Sequence, residues 1–495
     1  MIPALLVLSV ALLPQADKID PRVRRAMGKD NQVDVILLGR IQLLDGHKGF
    51  RRFCKKNSKR KRSELRQETL RRLKEIAATE QAEILGALGN PDGAHALWII
   101  NAISVKLAPD AINKASKLEA IKYIYPGSAV PDAGAAGKVS QVLEPAERKS
   151  FELDGRQVSW NLKNVGADRV WSKLKVTGEG VVVAMWDSGV RYTHEDLSGN
   201  IWINDDEVPN NGKDDDENGY VDDIYGFDFG RMKAEVTPDP GGRPGVEHGT
   251  MTSGIVAGDG TGGTVTGVAP RARLMILKGS GRDAYVAGRV FQYALENGAD
   301  IVNMSFSAAK LGNTRGLWRL ISDQATCAGL VLVSGAGNFQ RNQKIPVQMR
   351  IPEGIPSVIC AGGVDENLKV PRFCSLGPVE WASVKFYEDF PMPKGLVKPD
   401  VCGFPGPRFP VLAAKDEGYV DPNTNIKGNS FSGPHVSGAA ALVLSANPEI
   451  PAWRVKEILE RTATDLGSKG KDTRTGAGLV NAYKAVKAAK KIKTH

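Results

Sequence analysis

Residues 180–186 read GVVVAMW, the first of five short apolar runs in the larger part of this chain. The later runs are ARLMILK (272–278), DIVNMSF (300–306), LVLVSGA (330–336) and SVICAGG (357–363). Segments with helical periodicity and a closing glycine lie between them, such as AYVAGRVFQYALENGA (284–299). This alternation predicts an α/β fold with a doubly wound, mostly parallel sheet and helices on both faces. In such a sheet, a site is expected beyond the carboxyl ends of the strands.

Three polar residues lie where that fold would place a site. Asp187 directly follows GVVVAMW, His248 opens HGTMTSGIVAG (248–258), and Ser430 opens the helix predicted in GNSFSGPHVSGAAALV (428–443). Singly, each is explained equally well as a turn, cap or core residue. Together they supply what a serine nucleophile needs, because an imidazole must take its proton and a carboxylate must orient that imidazole.

The blocks around these residues resemble the Asp, His and Ser signature blocks of the subtilisin-like serine proteases (subtilases), in the same chain order. The blocks are VAMWDSGVRYTHEDL (183–197), EHGTMTSGIVAG (247–258) and GNSFSGPHVSGAAAL (428–442). Intervening segments resemble the core of the family, namely GVAPRARLMILK, ENGADIVNMSFS, VSGAGN and KPD. The resemblance covers roughly residues 160 to 485. It implies a serine endopeptidase that hydrolyses peptide bonds in proteins or peptides through an acyl-enzyme.

The resemblance also implies a role for each matched residue. Asp187 would orient the imidazole, His248 would act as general base and then acid, and Ser430 would be the nucleophile. The Asn338 side chain and the Ser430 backbone N–H would form the oxyanion hole. The substrate backbone is expected to lie as an added strand along Ser305, Phe306 and Ser307.

Three positions depart from the family pattern. Asn429 stands where the family usually has threonine, Ser432 where it has alanine, and Ser307 where the substrate-lining strand has glycine. None of these changes removes a proton-transfer group, so an active enzyme is the favoured interpretation. The alternative is a catalytically silent domain of the same fold that serves as a binding or regulatory protein.

Residues 17–127 are predicted to form a separate, small α+β module. The strands VDVILL (33–38), LWIINAISVKL (97–107) and IKYIYP (121–126) alternate with a basic helix and with PDAINKASKLEA (109–120). The module resembles, more loosely, the inhibitory prodomain of secreted subtilases. This implies a zymogen whose prodomain assists folding and occupies the cleft until self-cleavage between about residues 126 and 160. Residues 128–159 would then be the linker and processing region, and residues 160–495 the peptidase domain.

The net charge of +10 is concentrated in the N-terminal module. Residues 17–127 contain 23 Lys+Arg and 13 Asp+Glu, whereas residues 128–495 contain 43 of each. The basic segment KKNSKRKRSELRQETLRRLK (55–74) leads into apolar positions at helical spacing, which predicts a solvated basic face on an amphipathic helix. No aromatic residues interleave with the charges to stack on bases, so no nucleic-acid partner is predicted. The apolar positions are Leu70, Leu73, Ala77, Ile84 and Leu88.

Residues 1–16, MIPALLVLSVALLPQA, have the length of a signal peptide and are too short to cross a bilayer. They predict secretion; the alternatives are a wrongly assigned start or a buried N-terminal strand. No other stretch approaches the roughly 20 apolar residues of a membrane helix, so no membrane span is predicted.

The cysteines are odd in number and have no CxxC spacing, which gives a zinc or redox site little support. With Cys54 outside the main domain, the other four could form two disulfides or remain thiols, and the sequence does not decide between these states. These four are Cys327, Cys360, Cys374 and Cys402.

The acidic segment DDDENGYVDD (214–223) predicts a structural calcium site. Asp214, Asp216 and Asn218 match the first, third and fifth positions of a calcium loop. A carbonyl of Tyr220 and the carboxylate of Asp222 would complete the ligands. Tyr225 replaces the final glutamate, so this is not a full EF-hand, although Asp223 is a candidate replacement. The alternative is a solvated acidic loop without an ion.

Overall fold

The structure is a computed structural model that describes residues 17–128, 137–143, 151–239, 247–279, 281, 283–406, 408–421 and 423–494. The proposed signal peptide, residues 1–16, and parts of the proposed processing region therefore lie outside the described residues. Within the described part of the chain, no helix combines the length and apolarity needed to cross a membrane.

The N-terminal module has the predicted α+β composition. Its antiparallel sheet has the order β2-β3-β1-β4, with helices packed against it. Its elements are α1 (Pro21–Met27), β1 (Val33–Gly39), α2 (Gly46–Lys56), α3 (Arg62–Leu88), β2 (His95–Leu97), β3 (Ala102–Leu107), α4 (Pro109–Lys117) and β4 (Ile121–Pro126).

The single strand predicted for residues 97–107 is wrong, because the chain turns back within it. A 3₁₀ turn at Trp98–Ile100 is followed by Asn101 in the left-handed conformation, with φ of 44°. Asparagine tolerates this conformation better than most residues. As a result, β2 and β3 form an antiparallel hairpin in which Leu97 lies opposite Ala102.

The larger domain is built on a seven-stranded parallel sheet of order β13-β12-β11-β10-β6-β9-β7, which confirms the predicted α/β class. The strands of this sheet are β6 (Val182–Asp187), β7 (Gly226–Asp228), β9 (Arg273–Lys278), β10 (Ile301–Met304), β11 (Val331–Gly335), β12 (Ile359–Gly363) and β13 (Val401–Gly403). Two separate strand pairs are formed by β5 (Gln157–Val158) with β8 (Thr264–Val265) and by β14 (Val411–Leu412) with β15 (Tyr419–Val420). Its helices are α5 (Trp160–Val165), α6 (Ala167–Arg169), α7 (His248–Ala257), α8 (Ala284–Glu296), α9 (Thr314–Cys327), α10 (Asn429–Ala446), α11 (Ala452–Thr462) and α12 (Ala482–Ala489).

Both faces of the sheet are buried, which explains why its strands read as continuous apolar runs. In β6, Val183 and Met185 pack into the core that contains α7 and α10, whereas Ala184 and Trp186 pack into the core that contains α8 and α9. This alternation follows from the two-residue period of a strand. The carboxyl ends of β6, β10 and β11 meet at one edge of the sheet.

The N-terminal module docks on α8 and α9. The backbone N–H of Ile99 donates to Gln292 Oε1 at 3.3 Å, and Gln324 Nε2 donates to the Ile99 carbonyl at 2.6 Å. Buried Leu97 lies against Gly288 of α8, where a side chain would collide with it. The interface therefore combines hydrogen bonds to the Ile99 backbone with close packing of Leu97 on Gly288.

The basic face of helix α3 is only partly exposed to solvent, whereas the sequence predicts a solvated face. Arg62 forms an ion pair with Asp300 at 2.6 Å, and both side chains are largely buried. Arg66 donates to the Leu295 and Ala299 carbonyls at 2.6 and 2.9 Å, beside the end of α8. These two arginines bind the larger domain. Arg62 does so through a carboxylate, and Arg66 through carbonyl groups at a helix C-terminus, which attract cations.

All five cysteines are free thiols in this structure. Burial raises the pKa of each thiol, and that of Cys374 rises to about 12. Buried thiols with raised pKa values are unreactive. The sequence left open whether the four cysteines of the larger domain form disulfides or remain thiols, and in the structure they are thiols.

Candidate active site

Asp187 is the last residue of β6 and is nearly fully buried. Its Oδ1 atom lies 2.7 Å from His248 Nδ1 and accepts a 2.7 Å hydrogen bond from the Ser188 backbone N–H. Its Oδ2 atom accepts from Thr252 Oγ1 at 3.2 Å. Three donors therefore hold this carboxylate in one orientation.

His248 is the first residue of α7, so its side chain stands at the edge of the sheet. Because a carboxylate only accepts hydrogen bonds, the proton resides on Nδ1, and Nε2 is left as an acceptor. Burial opposes protonation of the ring, but the charge and hydrogen bond of Asp187 outweigh it and raise the pKa of His248 above its ordinary value. The imidazole is thus prepared to accept a proton.

Ser430 lies in the first turn of α10, after Gly428. Its neighbour Phe431 stacks on the His248 ring, with centroids 6.2 Å apart and planes at 27°. The Ser430 hydroxyl donates to the Ser305 carbonyl at 3.4 Å, and Ser305 Oγ donates to the Ser430 carbonyl at 3.0 Å. Among the described hydrogen bonds, none joins Ser430 to His248. Catalytic hydrogen bonds are often long without substrate and tighten when it binds.

Asn338 follows β11 and faces the start of α10. Its Oδ1 atom accepts a 2.8 Å hydrogen bond from the Asn429 backbone N–H. Its Nδ2 atom lies beside Gly428, where an added Cβ would be 3.0 Å away. The Asn338 amide is therefore oriented with its oxygen accepting from Asn429 and its NH₂ group toward the start of α10.

A close approach between β11 and α10 positions these groups. A side chain at Gly335 would collide with the Asn429 carbonyl, and one at Gly433 would lie 3.2 Å from the Gly335 nitrogen. The glycines thus allow backbone to contact backbone. The small residues at the start of α10 serve this packing.

Two of the three predicted substrate-lining residues form part of the wall of a cavity of about 450 Å³. Asp187, Ser305 and Phe306 line this cavity, and the Phe306 ring packs on Trp186 with centroids 4.8 Å apart. Ser307 instead donates a hydrogen bond to Glu353, whose carboxyl is fully buried. Burial raises the pKa of Glu353 to about 7. Ser307, which stands where the family has glycine, therefore directs its hydroxyl to buried Glu353 and does not line the cavity.

The predicted calcium ligands have different surroundings within the acidic loop. Asp214 accepts hydrogen bonds from the backbone N–H groups of Asn218 and Gly219, and Asp222 accepts from those of Asn211 and Gly212. Tyr220 packs its ring on Phe227, with centroids 4.8 Å apart. Of the five predicted ligands, the structure places only Asp216 in a cluster of carboxylates.

That cluster consists of Glu207, Asp216 and Asp223, whose carboxylates offer oxygens within 4.8 Å of one another. Burial raises the pKa of Glu207 to about 7 and that of Asp223 to about 6. Among the described residues, no lysine or arginine forms an ion pair with any of the three. Close carboxylates without a partner cation fit a hard cation with oxygen ligands, such as Ca²⁺.

Sequence reasoning missed three contributors to these sites. Glu207 lies outside the motif, and only the acidic character of DDE at 205–207 hinted at it. Thr252, which holds Asp187, follows His248 by four residues and so lies on the same face of α7. Asn429 was visible only as a departure from the family pattern.

Comparison with protein families matches residues 178–478 to the Subtilase family. Subtilisin DY of Bacillus licheniformis is 33% identical over 246 residues, which cover 47% of this chain and 75% of that protein. Fervidolysin of Fervidobacterium pennivorans is 26% identical over 413 residues, 77% of this chain and 52% of that protein. Subtilisin-like protease 1 of Plasmodium berghei is 26% identical over 359 residues, 69% and 56% of the two chains. The chain thus spans about half the length of the last two relatives.

Proposed function

This chain belongs to the subtilase family, the subtilisin-like serine proteases, and from that premise we propose that it is an endopeptidase with an Asp187–His248–Ser430 triad. The observation that carries the proposal is the 2.7 Å contact between Asp187 and His248, whose ring stacks on Phe431 next to Ser430. A carboxylate, an imidazole and a hydroxyl in this order can activate a serine for acyl transfer.

In the proposed mechanism, His248 Nε2 takes the hydroxyl proton as Ser430 Oγ attacks the peptide carbonyl carbon. The carbonyl oxygen becomes an oxyanion, stabilised by the Asn338 NH₂ group and the Ser430 backbone N–H. Protonated His248 then donates its proton to the leaving amine, and the acyl-enzyme forms. Water deprotonated by the same imidazole attacks the acyl-enzyme, and the acid leaves with Ser430 restored. Asp187 holds the ring and stabilises its charged form throughout.

Labelling with a serine-directed fluorophosphonate tests the proposal directly. We expect intact mass spectrometry of the processed protein to show one adduct, and peptide mapping to place it at Ser430. The adduct should be absent when the protein is heat-denatured before labelling, because reactivity depends on the folded site. A folded, processed protein that takes up no reagent at Ser430 would instead support the silent binding protein.

The pH dependence of the rate follows from the raised pKa of His248. Only the neutral imidazole accepts the serine proton, so activity is lost as the pH falls through this pKa. Because the pKa is raised from 6.5, we expect the acidic limb of kcat/KM to have its midpoint above pH 6.5. The profile should be measured with a peptide substrate from about pH 5 to 9. A flat profile between pH 5 and 8 would contradict the role of His248.

Replacement of the oxyanion donor should reduce kcat and leave KM nearly unchanged. Leucine has the shape of asparagine without the NH₂ group, so Asn338→Leu is expected to lower kcat by about 10² to 10³. Asn342 in the same loop is exposed and serves as the matched control. Asn342→Leu should keep kcat within about twofold of the wild type. Equal losses in the two variants would contradict the role of Asn338.

Residues 17–127 are the inhibitory prodomain in this proposal, and the protein is made as a secreted zymogen. The docking of Ile99 between Gln292 and Gln324 supports an intramolecular partner for α8 and α9. The signal-peptide pattern of residues 1–16 supports secretion. Proteins and peptides are the proposed substrates.

Calcium is the proposed structural ion, and it would be held by Asp216, one of the ligands predicted from sequence, together with Asp223 and Glu207. A bound cation would neutralise the cluster and stabilise the loop.

Chelation should therefore lower the thermal midpoint. At free Ca²⁺ of 100 times Kd, binding contributes about 2.7 kcal/mol to stability. Melts with Ca²⁺ and with chelator should use the Ser430→Ala protein, which avoids self-digestion. Glu207→Gln should reduce the difference between the two conditions, whereas Asp214→Asn should preserve it, since Asp214 only caps a turn. Identical midpoints in the unsubstituted loop would rule out a stabilising ion.

A further inference from the structure

We propose that Asn429 is a positioning residue that fixes the oxyanion donor Asn338, and that Ser432 in turn fixes Asn429. The inference rests on the proposed function and concerns the two departures from the family pattern that flank the nucleophile. Neither side chain is assigned to contact the substrate.

Asn429 holds the loop that carries Asn338 at two points. Its backbone N–H donates to Asn338 Oδ1 at 2.8 Å, and its side-chain Nδ2 donates to the Gly337 carbonyl at 2.6 Å. The first bond orients the Asn338 amide, and the second fixes the peptide that precedes Asn338. The residue before the nucleophile therefore sets the distance between the two halves of the oxyanion hole.

The Gly337 peptide needs such restraint. Gly337 has φ of 86°, and a glycine places few steric limits on the rotation of its peptide. The Ser375 backbone N–H also donates to the Gly337 carbonyl, at 3.0 Å. The Ser375 and Asn429 donors together restrain the orientation of the Gly337 carbonyl.

Ser432 determines which way the Asn429 amide points. Its Oγ donates to Asn429 Oδ1 at 3.3 Å, and both side chains are fully buried. A hydroxyl donor on the oxygen side directs the NH₂ group toward Gly337. Cys374 also lies against Asn429, in the slot that Gly363 leaves open.

The two departures are therefore one coupled change. The family's usual threonine carries a single hydroxyl, and the usual alanine carries no donor. Threonine at 429 alone would remove the amide oxygen to which the buried Ser432 hydroxyl donates, and alanine at 432 alone would remove that donor and leave Cys374 as the remaining side-chain partner of Asn429. Replacing both restores the usual family pair.

The test is steady-state kinetics with a peptide substrate, on processed protein obtained by expressing the full chain. The proteins are the wild type, Asn429→Thr, Ser432→Ala and the double variant, each with Asn338 intact and with Asn338→Leu. With Asn338 intact, we expect Asn429→Thr and Ser432→Ala each to lower kcat by about tenfold and to leave KM within about twofold. The double variant should recover most of kcat. In the Asn338→Leu background, the three changes should have almost no further effect on kcat, because the donor that they position is gone.

Loss of fold is separated from loss of positioning by measuring thermal midpoints of the same substitutions on Ser430→Ala protein. A loss of kcat by the same factor in both Asn338 backgrounds would overturn the inference, as would a double variant no better than the worse single one. Full wild-type kcat in Asn429→Thr would also overturn it. A wild-type protein that is processed and folded but cleaves no peptide and takes no fluorophosphonate would overturn the proposed function itself, which distinguishes the two failures.

Discussion

A Ser430→Ala protein produced alone is expected to remain full length and to show no peptidase activity. The substitution removes the oxygen that attacks the peptide carbonyl and carries the acyl group, and loss of such a serine typically lowers kcat by about 10⁶. Because the same hydroxyl would cut the chain between about residues 126 and 160, the N-terminal module should stay attached. Intact mass and peptide hydrolysis measure the two effects on one sample.

The matched control is Ser445→Ala in the same helix, where the hydroxyl only donates to the Glu179 carbonyl. This protein should be processed and active like the wild type. If Ser430→Ala were cut at the wild-type position when expressed alone, self-cleavage would be wrong. Added wild-type enzyme should release the module from the alanine protein, since the processing region would then be cut in trans.

Asp187→Asn is expected to lower kcat by about 10⁴ without loss of the fold. An amide at residue 187 presents a donor or a neutral acceptor to His248 Nδ1, so the ring is no longer held with its acceptor nitrogen toward Ser430. Thr252 or the Ser188 backbone N–H can still donate to the amide oxygen at residue 187, so the fold should be kept. The loss of the Asp187 charge should also lower the pKa of His248, because that charge raises it in the wild type.

Kinetics at several pH values separate these effects, since the acidic limb of the residual activity should move to lower pH. Asp365→Asn is the control, because Asp365 also follows a strand of the parallel sheet but accepts only from Asn367 and Lys369 in its own turn. Its kcat should stay within about twofold of the wild type. An Asp187→Asn enzyme with wild-type kcat would show that the carboxylate does not assist the base.

The sequence predicted the fold class and the family because both depend on local patterns. A strand buried on two faces must be apolar along its length, and GVVVAMW, LVLVSGA and their counterparts could be recognised individually. The positions of Asp187 and His248 followed from the same patterns, since one ends a strand and the other begins a helix.

The carboxylate cluster and the Arg62–Asp300 ion pair depend on contacts between residues distant in sequence, and local sequence patterns do not determine such contacts. Glu207 lies near Asp216 and Asp223 only because the segment between residues 207 and 223 folds back on itself, so a motif that reads consecutive residues found Asp216 and Asp223 but not Glu207. Arg62 looks like one more charge in a basic run until Asp300 is placed opposite it. The catalytic roles of Asp187, His248, Ser430 and Asn338 stay predictions until the substitutions are made.

The contact between Gly335 and the start of α10 has a consequence for engineering. Backbone meets backbone there, so no side chain can be enlarged, trimmed or repacked to shift the serine relative to the sheet. Libraries that vary core residues under this helix should yield mostly inactive proteins rather than enzymes with altered preference. Diversity aimed at new cleavage specificity belongs instead at exposed positions that line the cavity, such as Arg231.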